Sequence, residues 1–454
     1  MEKLKLKALQ IRKAPILVPL AVLILVLGGY TFLQFRGVSA ASSLTLGQQY
    51  LNDLNYGGAI AAFTQAIELD PGSSEAWIGQ AQAYAGTEDY DVARQVLEDL
   101  VYTQRPDEEA VNAMVEILQQ TGQLSQAAQL TQTLITTTDK DAYYAKRDEI
   151  LTQLYAAPRS YAVGTDQQLV ITNGQVQSLG SNTLGQLGTD PALVAASENY
   201  QSAGFPGTAR KVICVGRTSF VVDDSGALWA AGENRWGQMG GGYAVTAPEG
   251  GWVQVDCPGP VADVAGTTGR LLVLLTDGSL WTIGAGSGQT LTPLTRFPVV
   301  IQIASNGDKA AVLTADGALY TSSSGTPDQW SLYRRDAAAF TLSDTSLFVI
   351  TTEGRITSDS YYSDAPLGWT VSPEDGALQP DCVVTAIANA GSRILFTTAD
   401  GQLCTFRSGG DIQEVESGAA VTALYPQGEV VVVEYDDGTA RYWGEDTSAA
   451  QALI

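Results

Sequence analysis

The chain has 454 residues, 45% of them hydrophobic and 16% charged, and its 25 basic and 49 acidic residues leave a formal net charge of −24. That length allows about three domains, and that charge speaks against nucleic acid as a partner, because phosphate contact needs clustered Lys and Arg. Histidine is absent altogether, which excludes imidazole acid–base catalysis, Ser–His and Cys–His pairs, and His-ligated zinc.

Charge is unevenly spread. Residues 1–13 hold Lys3, Lys5, Lys7, Arg12 and Lys13 against Glu2 alone, whereas 14–157 hold 6 basic and 17 acidic residues and 158–454 hold 14 and 31. Between the basic stub and the acidic remainder lies APILVPLAVLILVLGGYTFLQF, residues 14–35, without one charge. At ~1.5 Å per helical residue this run spans one hydrocarbon core. Pro15 and Pro19 fall in its first turns, where proline is tolerated, and Tyr30 and Phe32 lie near its far end. The sequence predicts a single transmembrane helix at the cell membrane, with the stub cytoplasmic by the positive-inside rule and all that follows extracytoplasmic. A cleaved signal peptide is the alternative, because Val38-Ser39-Ala40 resembles a cleavage site. The apolar run exceeds the usual ~7–15 residues of a signal core, which favours the anchor.

A period of 34 follows. Ala59, Ala93 and Ala127 are 34 apart, as are Tyr56, Tyr90 and Leu124, and Ile67, Val101 and Ile135. Small residues at fixed spacing among larger apolar ones are what two helices need where they cross closely. LGQQYLNDLNYGGAIAAFTQAIELDP carries Gly47, Tyr50, Tyr56, Ala59, Phe63, Ala66 and Pro71; a second copy carries Trp77, Ala81, Tyr84, Tyr90, Ala93 and Leu97; a third carries Val115, Leu118, Leu124 and Ala127, with Thr131 where a large apolar residue is expected. These positions resemble the tetratricopeptide family. Residues 41–157 then read as three helix pairs, with Asp139–Ala156 as a closing helix. The resemblance implies a concave peptide groove lined by the first helix of each pair, here at Gln48, Asn52, Gln82, Asn112 and Glu116.

From residue 159 helical periodicity disappears, and an apolar run, a turn ending in Gly and a second apolar run recur. The turn glycines are Gly174, Gly226, Gly278, Gly317, Gly354, Gly401 and Gly438. Asp-Gly and Asn-Gly mark two-residue hairpins in which both residues need φ > 0. Gaps of 52, 52, 39, 37, 47 and 37 residues leave room for about four strands per copy. Seven such sheets set radially make a β-propeller over 159–454, so the fold class is multidomain: a transmembrane helix, an α-helical stack and an all-β seven-bladed propeller. A second glycine follows six residues after the first at Gly180, Gly232, Gly284 and Gly444, then Asn182 and Asn234, then GQLG at 185–188 and GQMG at 237–240. DSGALWAAGENRWGQMG resembles the regulator of chromosome condensation family of seven-bladed propellers. Ser360 and Arg407 replace the second glycine in the fifth and sixth copies, which blurs the blade boundaries there.

In that family some eukaryotic members exchange guanine nucleotide on a small GTPase and bind chromatin, and some secreted bacterial members inhibit β-lactamases through one face. The resemblance implies a binding module. No P-loop, dinucleotide fingerprint, calcium-loop spacing or metal-ligand spacing is present, so no enzyme, cofactor or metal is expected. Cys214, Cys257, Cys382 and Cys404 read as buried free thiols, although four cysteines allow three pairings. Aromatics in the variable loops are the propeller's candidate partner contacts: Trp236, Tyr243, Trp252, Trp330, Tyr333, Tyr361, Tyr362 and Trp369. The leading reading is a membrane-anchored, extracytoplasmic scaffold or receptor-like protein for a protein or peptide partner. The alternatives are an envelope polysaccharide-binding protein or hydrolase using carboxylates on the propeller face, and an assembly role carried by the helical repeats.

Overall fold

The structure is a computed structural model. It describes residues 39–102, 106–240 and 251–452, less 361–369, 372–383 and several shorter stretches between strands. The apolar run at 14–35 lies outside the described residues. Among the described residues no helix is long and apolar enough to cross a membrane. The chain divides into two compact units, 1–117 and 118–454.

The first unit holds α1 (39–52), α2 (Tyr56–Leu69), α3 (Ser74–Gly86), α4 (Tyr90–Val101) and most of α5 (Glu108–Gln120). Its centre is Phe63, fully buried with Ala59 and Ala83. This ring demands small residues on the helices around it. A Cβ on Gly79 would stand 2.4 Å from it, and one on Gly47 2.7 Å, so both positions must lack a side chain for the helices to close on Phe63. Each helix pair turns through one left-handed residue, Leu54 (φ 57°), Glu88 (φ 65°) and Gly122 (φ 73°), again 34 apart. Asn55 and Ser73 then cap α2 and α3 by accepting the N–H of Gly58 and of Ala76.

The second unit opens with α6 (Leu124–Thr138) and α7 (Asp141–Ala156). Thr131 is fully buried in α6, and its hydroxyl donates to the Ala127 carbonyl at 2.8 Å. The polar residue in an apolar slot is therefore satisfied within its own helix.

Seven four-stranded sheets follow, each an antiparallel meander of consecutive strands. The first is β1 (Tyr161–Val163), β2 (Gln167–Thr172), β3 (Gln175–Ser181) and β4 (Ala196–Ser202); the second is β5 (Ala209–Val215), β6 (Thr218–Asp223), β7 (Leu228–Gly232) and β8 (Val253–Val255). The remaining five begin at β9 (Val261–Thr267), β13 (Val300–Ser305), β17 (Ala337–Leu342), β21 (Val384–Ala390) and β25 (Val421–Gln427), and the last ends with β28 (Gln451–Ala452). Apolar side chains of neighbouring blades interlock between the sheets, as where Phe220, Leu228 and Val255 meet Val264, Leu271 and Val273. Ser360 and Arg407 keep the register of the glycines they replace. Ser360 pairs with Ser346 and Arg407 with Arg393, as Gly232 pairs with Thr218. Cys404 fills the slot of Trp229, Trp281 and Tyr320 and is buried.

The hairpins need a correction. Among the described turns, only Asn173-Gly174 is a two-residue turn with both residues left-handed. At Gly226, Gly278 and Gly317 the glycine alone is left-handed. It donates its N–H three residues back, to Asp223, Leu275 and Thr314, while those same residues donate to the carbonyl four residues on. This is a type I turn closed by a left-handed glycine, and it needs one such residue where the shorter turn needs two. The turn aspartates serve it by accepting backbone N–H two residues on, as Asp277 does from Ser279 and Asp437 from Thr439.

Candidate functional site

On the helical repeats, Gln48 and Asn52 lie on α1, Gln82 on α3, and Asn112 and Glu116 on α5. Gln48, Asn52, Gln82 and Glu116 are exposed and Asn112 is half-buried. The Gln48 amide donates to Asn52 at 3.5 Å, one turn away. All five stand on the first helix of a pair, which is where a groove between successive repeats would be lined, and four of the five are uncharged.

The propeller has two unlike faces. One, here the exit face, carries the turns between first and second strands and the loops between third and fourth. Blades 1 and 2 build it twice from the same parts. Asn182 is fully buried; it accepts the Leu187 N–H at 2.8 Å and donates to the Val194 and Thr189 carbonyls at 2.7 and 3.0 Å. Asn234 accepts the Met239 N–H at 2.9 Å in the same way. Gln186 accepts the Leu184 N–H and donates to Asp166; Gln238 accepts the Trp236 N–H and donates to the Glu233 carbonyl and to Thr218. The Asn-Gly-Gln signature is thus a set of pegs that fixes each loop, and the Ser219 hydroxyl ties one loop to the next blade through the Gln186 carbonyl.

What those pegs present is Trp236, 37% exposed, with the Arg235 guanidinium 5.2 Å from its ring. Beside them Arg217 is ion-paired with Asp166 at 3.2 Å. An exposed indole on a rigid loop with a stacked guanidinium offers apolar area and a directed positive charge at little entropic cost. The other sequence candidates fare differently. Trp252 donates its indole N–H to the Ala203 carbonyl at 2.8 Å and packs edge-on against Phe205. Trp330 is 7% exposed against Phe297. Both serve packing, and Tyr333 is half-buried. Tyr243, Tyr361, Tyr362 and Trp369 lie outside the described residues.

The opposite, entry face is where the first strands begin, and α6 and α7 lie on it. Buried Gln129 of α6 donates to the Ala337 carbonyl at 2.7 Å, and Tyr155 of α7 donates to the Val300 carbonyl. Burial holds the Tyr155 phenol above its ordinary range. Every blade from the second to the seventh has a bulge at the start of its first strand, as between Ala209 and Lys211. There Lys211, 6% exposed, donates to the Ala262 carbonyl at 2.8 Å, and burial pushes its ammonium down to about 8. Asp263 pairs with Arg159 at 3.1 Å. Sequence reading missed Gln129, Tyr155, Arg159 and Lys211. The one available signal was the basic pair Arg210-Lys211 at the start of a strand that is apolar from Val212 on.

The thiols of Cys214 and Cys257 are free and raised to about 12 by burial, the opposite of what a nucleophile requires. Cys404 is buried, and Cys382 lies outside the described residues.

A family model described as tetratricopeptide repeat matches residues 53–114. The regulator of chromosome condensation of Xenopus laevis is 30% identical over 181 residues, which are 34% of this chain and 40% of that protein, so the chain spans well under half of its relative. Among solved structures, human WBSCR16 superposes with a TM-score of 0.51 at 18% identity over 61% of this chain and 86% of that one. Prp20p from Saccharomyces cerevisiae, described with its binding properties to Gsp1p and histones, superposes with a TM-score of 0.51 at 13% identity over 67% and 89%. At such identities the structures show a shared propeller fold and nothing finer. Repeats and propellers of these two kinds are generally binding folds.

Proposed function

We propose that the protein is an extracytoplasmic scaffold or receptor-like binding protein, held at the cell membrane by residues 14–35, which takes protein or peptide partners on its helical groove and on the exit face of its propeller. One observation carries the choice of face: the entry face is already engaged in cis by Gln129 and Tyr155. The exit face instead ends in Trp236 and Arg235, on loops pegged by buried asparagine and glutamine. The yeast relative's described binding to Gsp1p and histones is binding to proteins, which supports a protein partner here as well. The net charge of −24 supports the reading that nucleic acid is not the partner, and the charge-free run behind a basic stub supports the anchor.

Two measurements test this. Proximity labelling from the C-terminus in living cells should recover a reproducible protein set that Trp236→Ala thins without altering the fold, as judged by circular dichroism. Recovery identical for the variant and the wild type would remove the exit face from the proposal. Protease added to sealed cells should reach the propeller; protection of residues 159–454 until lysis would remove the extracytoplasmic placement.

A further inference from the structure

At six of the seven junctions the chain runs on from one blade to the next, and at the four junctions between blades 1 and 5 the first residue of the next blade is stitched to the turn of the last. Ala209 donates its N–H to the Gly174 carbonyl, Val261 to Gly226, Val300 to Gly278 and Ala337 to Gly317. The seventh junction, between β25–β28 and β1–β4, joins the two ends of the ring and has no such crossing. Each of these sheets is made wholly of its own consecutive strands, with none lent across the join.

Side chains and three linker residues hold it instead. Tyr161 and Val170 of blade 1 pack on Val432 of blade 7, flanked by Val163, Tyr200 and Tyr425. Tyr425 donates its hydroxyl to the Pro158 carbonyl. Ser160 accepts the Ile171 N–H of blade 1 at 2.7 Å and lies beside the Glu434 carboxyl of blade 7, which burial pushes up. Arg159 does most: its guanidinium lies 5.5 Å from the Tyr425 ring in blade 7 and pairs with Asp263 in blade 3 at 3.1 Å. Its backbone donates to Arg210 and accepts from Val212 in blade 2. One residue ahead of blade 1 therefore touches blades 2, 3 and 7.

We propose that this junction is where the ring opens, and that Pro158, Arg159 and Ser160 form the clasp that holds it shut. A ring closed by continuous chain at six joins and by side chains at the seventh yields first at the seventh. The clasp begins two residues after α7 ends at Ala156, so displacement of α7 from the entry face pulls directly on it. The fold thus contains a conformational device that links the position of a surface helix to closure of the propeller.

Hydrogen–deuterium exchange on the full-length chain tests it, comparing wild type with Arg159→Ala and Tyr425→Phe. In Arg159→Ala the amides of β1, β2, β25 and β26 (Val430–Tyr435) should exchange about ten-fold faster, while β13, β14 (Lys309–Thr314) and β15 (Leu319–Ser323) in blade 4 keep their wild-type rates. Tyr425→Phe should produce a smaller rise in the same places. A uniform rise across all seven blades, or unchanged exchange at the junction in the folded variants, overturns the proposal. Should Arg159→Ala not fold, Tyr425→Phe, which deletes one hydroxyl, decides between the same outcomes.

Discussion

The helical repeats and the propeller are both built by repetition, but they make room for their repeats in different ways. In the helices the recurring constraint is size: Gly47 and Gly79 are small because Phe63 lies 2.7 and 2.4 Å from where their Cβ atoms would be. In the propeller it is backbone geometry. Gly232, at φ 112°, would bring a Cβ within 2.4 Å of the Arg217 carbonyl and 3.0 Å of Gln186. A ring of side-chain carbons can rotate or shrink, whereas a carbonyl in a strand ladder cannot. Mutations that exchange the two kinds of constraint should separate them.

The largest effect is expected at the centre of the helices. Phe63→Ala removes a fully buried ring and should cost about 3–5 kcal/mol. Because the cause is an unfilled space beside two glycines, Gly79→Ala introduced together with Phe63→Ala should recover part of the loss, seen as a higher urea midpoint by far-UV circular dichroism. In the propeller no such rescue is open. Gly232→Ala meets backbone and takes an L-residue into a φ of 112°, a loss of about 2–4 kcal/mol that trimming Gln186 to Ala should not restore. Equal rescue in both units would erase the distinction.

A middle-sized effect concerns pH and belongs to the propeller alone. Lys211 titrates at about 8 in the folded protein, against 10.5 as its ordinary value, chiefly because it is buried. Between those values the unfolded chain binds more protons than the folded one, so stability rises with pH across that window, and below pH 8 the folded state carries a charge it holds at a cost. Relative to Lys211→Met, wild type should gain about 1–3 kcal/mol between pH 8 and 10. Taking the difference between the two proteins cancels the tyrosines that titrate above that range. Parallel stability curves would show that Asp263 and the Ala262 carbonyl already compensate the buried charge.

The two regions were also unequally legible from sequence. Period 34 and the seven turn glycines announced both repeats, because size and left-handed backbone restrict which residue can stand at a position. The helices α6 and α7 read as the end of a stack, and nothing in Gln129 or Tyr155 marks them as the residues that meet the propeller. A polar or aromatic side chain on a helix carries no sign of which neighbour it will find. The bulges before Lys211 and Asp263 were invisible for a related reason, since a bulge is a relation between two strands and leaves alternation nearly intact in one. Aromatic residues in loops could not be sorted into Trp236, which is exposed, and Trp330, which is buried.

The smallest effect tests the one place where the helices do share the propeller's backbone constraint. Leu54 and Glu88 turn their helix pairs with φ of 57° and 65°, where the third pair uses Gly122. Leu54 is also 70% exposed, so its side chain offsets little of the strain of a left-handed L-residue. Leu54→Gly and Glu88→Gly should each raise stability by about 0.5–1 kcal/mol, net of the freedom glycine gives the unfolded chain. Leu54→Ala should raise it by less, because a Cβ remains. Thermal midpoints of the three variants followed by circular dichroism would show the order, and an equal gain for alanine and glycine would mean that exposure of the leucine, and not its φ, limits the turn.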